Sequence, residues 1–137
     1  MKLANVTETF AVSPQLEPDD MQEIAEAGFH TIICNRPDGE EPDYLPVATM
    51  QEAAEAAGLA FHHIPVAGGA FPAAAIEAFA RVRKEADRKV LAYCRTGTRS
   101  ITLDALANVE NATAQDRINR AQRAGYDLSA LRDQLGE

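Results

Sequence analysis

The chain holds only two cysteines, Cys34 and Cys94. That is too few for a disulfide framework and points to a reducing compartment. No apolar run approaches the roughly 18 residues that a membrane span needs. The opening "MKLANVTETFAV" lacks the long apolar stretch of a secretory signal, so a cytoplasmic protein is expected. Positive charge is also scarce: 13 Lys and Arg stand against 21 Asp and Glu, for a net charge of −8. Such a balance argues against nucleic acid or an anionic membrane surface as partner, since both are polyanions. Low-complexity tracts, linkers and internal repeats are missing too, so residues 1–137 read as a single domain.

What is present is an alternation of strand-like and helix-like segments. "ETFAV" reads as a strand closed by Ser13 and Pro14, and "EPDDMQEIAEAGF" as a helix opened near Pro18 and ended by Gly28. "HTIIC" is a buried strand, and "NRPDGEEPDY" is a loop rich in Pro, Gly and acids. A helix over "PVATMQEAAEAAG", a strand over "LAFHHIPV", a connector "AGGAF" and a helix over "PAAAIEAFARVRKEA" follow. After the strand "KVLAY", helices are predicted at about 99–109 and 113–124, with a short one beyond Gly125. Strands separated by helices imply parallel pairing, hence an α/β domain whose mainly parallel central sheet is flanked by helices. In such sheets, sites collect at the carboxyl ends of the strands.

Cys94 stands at one of those ends, in "YCRTGTRS". An ordinary thiol titrates near ~8.5, so only about 3% is thiolate at pH 7. A helix N-terminus and nearby guanidiniums favour the anion, and the sequence predicts that Cys94 reacts as a thiolate. The amides of Arg95, Thr96, Gly97, Thr98, Arg99 and Ser100 are expected to curl around the sulfur, with Gly97 allowing the turn. Arg99 offers a planar fork for a tetrahedral or carboxylate-like anion. Ser100 is placed to hydrogen-bond the sulfur, and Arg95 either does likewise or points to solvent. A small buried cysteine followed by surface arginines is the plainer alternative.

The loop resembles two groups of cysteine enzymes. Tyrosine and dual-specificity phosphatases place five residues between Cys and Arg, followed by Ser or Thr. Rhodanese-type sulfurtransferases commonly use a loop one residue shorter, and here "RTGT" makes four. Over roughly Thr9 to Leu131, however, "GFHTIICNRPDGEEP", "AAGLAFHHIPVAGG", "VLAYCRTGTRS" and "AGYDLSAL" are similar to the bacterial phosphatase-like domain family also found fused in β-lactamase-hydrolase-like proteins. The resemblance implies a dual-specificity-phosphatase-like fold with Cys94 and Arg99 at the active site. The same family is sometimes labelled a sulfur transferase.

One departure stands out. Dual-specificity phosphatases carry a proton-donating aspartate just after a strand ending "PV", but here the segment reads "PVAGGAF". Loss of a general acid costs about 10²–10⁴ in rate. Asp38 is the first candidate replacement, against the plainer reading of a turn aspartate in Pro-Asp-Gly. Glu40, Glu41 and Asp43 are further candidates. Arg36 is expected either to line the pocket or to pair with these acids. His62 and His63, adjacent on a strand, should face opposite ways, one into the covering layer. Without further ligands at a recognisable spacing, no metal site and no cofactor are expected. Cys34 is a buried apolar residue or, alternatively, a disulfide partner protecting Cys94.

Three functions follow as expectations: a phosphatase-like hydrolase acting on a phosphate ester, a sulfurtransferase acting on a sulfane-sulfur donor, and a non-catalytic module binding a small oxyanion. The sequence sets no oligomeric state.

Overall fold

The computed structural model describes every residue except Asp43, Tyr44, Asp87 and Glu137. Its five strands are β1 (Ala4–Asn5), β2 (Phe10–Ser13), β3 (Phe29–Cys34), β4 (Ala60–His63) and β5 (Lys89–Tyr93). They form one sheet in the order β1-β2-β5-β3-β4. Pairings β2–β5, β5–β3 and β3–β4 are parallel, and β1 runs antiparallel to β2 at the edge. The expected mainly parallel sheet is therefore present. Strand β1 was not foreseen, because two residues carry no periodicity to read.

Among the described residues, six helices flank the sheet or pack on its covering helices: α1 (Asp20–Glu26), α2 (Val47–Ala56), α3 (Ala73–Glu85), α4 (Thr98–Ala107), α5 (Ala114–Arg123) and α6 (Arg132–Leu135), with a 3-10 turn over Ser129–Leu131 before α6. Helix α1 starts later than Pro18 suggests. Asp20 instead accepts the Glu17 amide at 2.8 Å, and residues 17–20 form a turn. Gly28, at φ +97°, ends α1 in the left-handed conformation that a residue with a side chain resists.

Each sheet face has its own core. Met21 and Ile24 of α1, with Met50 and Ala54 of α2, pack on Ala11, Ile32, Leu91 and Tyr93. On the other face, Phe79 of α3, Ile101 and Leu103 of α4 and Ile118 of α5 pack on Phe10, Val12, Ile33 and Ala92. Central strands buried on both faces read as continuous apolar runs, as "HTIIC" and "KVLAY" do. Edge strand β4 differs: His62 and His63 are both exposed, so neither enters a covering layer as expected. Instead His63 Nε2 lies 2.8 Å from the Arg36 carbonyl oxygen.

Register decides where the strands stop. Tyr93 is level with Ser13 on one side and Cys34 on the other, and Cys34 is level with His63. Four parallel strands thus end at one height. Their continuations stay bonded beyond the sheet: Gln15 N–H donates to Arg95 O, Asn35 N–H to Tyr93 O and Val66 N–H to Asn35 O.

Behind this edge, α3 and α4 share a buried ionic cluster. Arg83 pairs with Asp104 at 2.8 Å, also binds Glu110, and lies over the Phe10 ring. Burial pushes the Asp104 carboxyl up to about 7, although Arg83 pulls it back. In the unfolded chain it would titrate near ~3.9. Folding therefore favours its protonated form, and the resulting stability is lost as pH rises from about 4 through about 7. Asp104→Asn, which cannot ionise, should gain melting temperature relative to wild type between pH 5.5 and 8.5; a constant difference across that range would contradict this.

Candidate active site

Strand β5 hands the chain to α4 through residues 94–97. Cys94 is fully buried at the strand end. Gly97, also buried, is the N-cap of α4 at φ +95°, and its carbonyl accepts the Ile101 amide at 3.0 Å. That geometry turns the Gly97 N–H onto Cys94 Sγ at 3.1 Å. Thr96 and Thr98 join by their hydroxyls at 3.0 Å and remain exposed, as does Arg95. The first amides of α4 lack intrahelical acceptors by position, and the helix end carries partial positive charge.

Arg99, the second residue of α4, lies within electrostatic reach of the sulfur. Its guanidinium titrates above its ordinary value, first because it is hydrogen-bonded to Glu40, and further because of the nearby Cys94 sulfur. Glu40 takes both ends of the fork, with Nη1–Oε2 at 2.8 Å and Nη2–Oε1 at 2.9 Å. Nη1 also donates to Val66 O at 2.8 Å. Arg99 holds the Glu40 carboxyl below the usual carboxylate range, and Arg36, whose Nε donates to Glu40 at 2.9 Å, adds to this.

The remaining cations meet the same acidic loop. Glu41 lies 3.1 Å from Arg95 Nε and 3.6 Å from Arg36 Nη2. Arg36 Nη1 donates to Gln15 at 2.7 Å. Arg36 therefore sits beneath Glu40 and Glu41, as the pairing alternative held. Sequence reasoning treated Glu40 and Glu41 only as spare acids; the structure makes them the counter-charges of Arg36, Arg95 and Arg99. Asp43 lies outside the described residues.

Asp38 faces elsewhere. Its Oδ1 accepts the Val47 amide, the first of α2, at 3.0 Å. Ser100, buried, donates to Asn35 Oδ1 at 2.8 Å, and Asn35 in turn donates to Ile64 O at 2.8 Å. The Ser100 hydroxyl thus ties α4 to the end of β3, where the sequence placed it on the sulfur. Asn35 and Tyr126 were not foreseen. The Tyr126 hydroxyl donates to Thr96 O at 2.9 Å, from 30 residues downstream, a separation that no local pattern reveals.

Cys34 and Cys94 are both free thiols. Tyr93 is the last residue of β5, and Cys94 follows it outside the strand. Cys34 packs with Tyr93 beneath α1 and α2, and burial pushes its thiol up. Among the described residues, no cluster of His, Cys, Asp or Glu could hold a metal ion, and no helix is long and apolar enough to cross a membrane.

This sheet, with a cysteine loop leading into a helix at the end of its central strand, is the fold of the tyrosine and dual-specificity phosphatases. The chain is similar over 99% of its length to a kinase associated phosphatase carrying serine for its catalytic-site cysteine, at 17% identity and TM-score 0.75, covering 91% of that chain. A Neisseria meningitidis Z2491 protein described as a candidate phosphatase is closer in sequence. It shows 38% identity and TM-score 0.87, with 99% of this chain and 97% of that one covered. Residues 2–113 match the family model of the β-lactamase hydrolase-like protein, phosphatase-like domain, and the chain belongs to that family. A β-lactamase hydrolase-like protein of Xylella fastidiosa (strain Temecula1) is 37% identical over 130 residues, 93% of this chain. The chain spans 30% of that relative's length.

Asp38 holding the start of α2 has a measurable consequence. Asp38→Ala should lower stability by about 1 kcal/mol, the worth of a side-chain cap, while Asp38→Asn, which keeps an acceptor, should lose much less. Urea unfolding of both variants reads the difference; equal losses would remove the capping role.

Proposed function

We propose that the protein is a cysteine-dependent phosphatase-like hydrolase in which Cys94 is the nucleophile. The observation that carries this reading is the Gly97 amide on Cys94 Sγ at 3.1 Å, with the Arg99 guanidinium alongside. Membership of a phosphatase-like family supports it. So does the likeness to a phosphatase whose catalytic site contains a cysteine.

In this reading the substrate is a phosphate ester. The Cys94 thiolate attacks phosphorus, an S–P bond forms, and the ester P–O bond breaks with its electrons leaving on oxygen. The amides of residues 95–100 and the Arg99 fork hold the equatorial oxygens, where charge builds up in the transition state. Water then attacks phosphorus, phosphate departs, and Cys94 recovers its electron pair. Arg99 must exchange the Glu40 carboxylate for the phosphoryl oxygens. Arg36 keeps Glu40 nearby after that exchange, and Arg95 lends charge at the rim.

No protonating role is assigned to Asp38, whose carboxylate is occupied by Val47 N–H. Residues 67–69 are Ala, Gly and Gly, so the usual acid is absent there. Aryl phosphates, whose leaving oxygens need little protonation, are the expected substrates.

The loop of four residues between Cys94 and Arg99, together with that missing acid, favours one second reading. Cys94 would attack the outer sulfur of thiosulfate, release sulfite and carry a persulfide, which cyanide would remove as thiocyanate.

The two readings are separated by assaying phosphate release from an aryl phosphate and thiocyanate formation side by side. Phosphate release that disappears in Cys94→Ser is expected; thiocyanate formation without phosphate release would overturn the proposal in favour of sulfur transfer. Glu40→Gln removes the carboxylate that competes for Arg99. Inorganic phosphate should then bind about fivefold tighter, the equivalent of ~1 kcal/mol for a part-exposed pair. Calorimetric titration checks this, and weaker binding would show that Glu40 helps to build the site.

A further inference from the structure

Tyr126 touches the cysteine loop from outside, following α5 and Gly125. Its hydroxyl donates to Thr96 O at 2.9 Å. The nitrogen of that same peptide unit is Gly97 N, which donates to Cys94 Sγ at 3.1 Å. A trans peptide points its oxygen and its hydrogen in opposite directions. One rigid plane therefore has Tyr126 on one end and the sulfur on the other.

The fit is close. Gly97 stands at φ +95°, and a Cβ built there would lie 2.9 Å from Tyr126 Cζ and nearer still to the hydroxyl. Glycine at this position thus serves two ends: it permits the left-handed turn, and it lets the phenol reach the backbone. The same freedom is a liability, because a peptide beside glycine can rotate with little steric resistance. Rotation would turn the Gly97 N–H away from the sulfur and present the Thr96 carbonyl instead. Thr96 and Thr98 brace the loop only through an exposed hydroxyl contact and a 3.3 Å amide bond. Burial, and second the charge of Cys94, push the Tyr126 phenol up, so it keeps its proton and remains a donor.

We propose that Tyr126 is a positioning residue: its hydroxyl locks the Thr96–Gly97 peptide so that the Gly97 amide faces the Cys94 sulfur and any oxyanion bound there. Its effect on turnover rests on the hydrolase reading above; its effect on the sulfur does not.

Tyr126→Phe in the full chain removes one oxygen and keeps the ring against Gly97. Three measurements read the result: turnover of an aryl phosphate, the pH profile of Cys94 alkylation by iodoacetamide, and the amide proton shift of Gly97. Turnover should fall about five- to tenfold in kcat, the equivalent of one hydrogen bond of ~1 kcal/mol or slightly more. Half-maximal alkylation should move to higher pH, and the Gly97 amide proton should move upfield as it loses the sulfur. A variant that folds with the wild-type alkylation profile and Gly97 shift overturns the inference, whatever its turnover. If Tyr126→Phe unfolds, Tyr126→Leu, which also lacks the donor, is measured in the same way; a wild-type profile there would also overturn it. If wild type releases no phosphate and yet the alkylation profile moves in the variant, the hydrolase reading fails and the positioning role stands.

Discussion

The structure depends on one peptide plane, the Thr96–Gly97 amide held against a buried sulfur at the end of the central strand. A buried thiol beside apolar neighbours is inert. What changes its surroundings is the abrupt switch from strand to helix within four residues, which brings the Gly97 N–H to the sulfur at the cap of α4. The sheet supports that switch by stopping four parallel strands at one level. Ser100 and Asn35 then bolt α4 to the end of β3. Because the bolt lies one turn beyond Gly97, rotating α4 would strain a buried side-chain bond before it disturbed the loop.

Charge around the loop follows a separate logic. The chain carries a net charge of −8, yet Arg36, Arg95 and Arg99 converge at the strand ends. Three guanidiniums beside one another repel, and Glu40 and Glu41 offset this by bridging them. The arrangement stores the cations without neutralising them permanently. Glu40 is a monoanion tethered to a loop, whereas a phosphate monoester near neutral pH approaches two negative charges. At an effective dielectric near 20, each additional unit charge at about 4 Å gains ~4 kcal/mol in raw attraction. Solvent screening at this rim removes much of that gain, but the order of preference survives: under the proposed hydrolase reading, a dianion would displace the carboxylate from the Arg99 fork.

Much of this was legible in the sequence. "KVLAY" coincides with β5, and the change from apolar run to helical spacing places Cys94 at a strand end. The compactness of "CRTGTRS" keeps sulfur, glycine and arginine within one turn, so local sequence fixes their mutual placement. Long-range partners were not legible. Glu40 meets Arg99 across 59 positions and Tyr126 meets Thr96 across 30, and neither separation leaves a periodic trace. Ser100 illustrates a different limit. Its position in the loop suggests the sulfur as partner, but its hydroxyl satisfies Asn35, a buried amide whose need is invisible until β3 and α4 are side by side. Turn chemistry likewise outweighed function at Asp38, where Pro-Asp-Gly delivers the carboxylate to the start of α2.

The segment after β4 bears most directly on the reaction. Where the resemblance to dual-specificity phosphatases implies an acid, this chain has backbone: the Val66 carbonyl accepts from Arg99 at 2.8 Å, and Ala67, Gly68 and Gly69 follow. A carbonyl orients the guanidinium but has no proton to give. Catalysis built this way rests on stabilising charge in the oxyanion rather than on protonating the leaving group, and these are separable contributions. For an alkyl ester, with a strongly basic leaving oxygen, losing the proton donor removes a large share of the acceleration. For an aryl ester the loss is small, since the departing oxygen carries its own charge. Under the proposed hydrolase reading, a preference for such leaving groups would follow from what residues 66–69 are, even if every other part of the site matched that of a complete phosphatase.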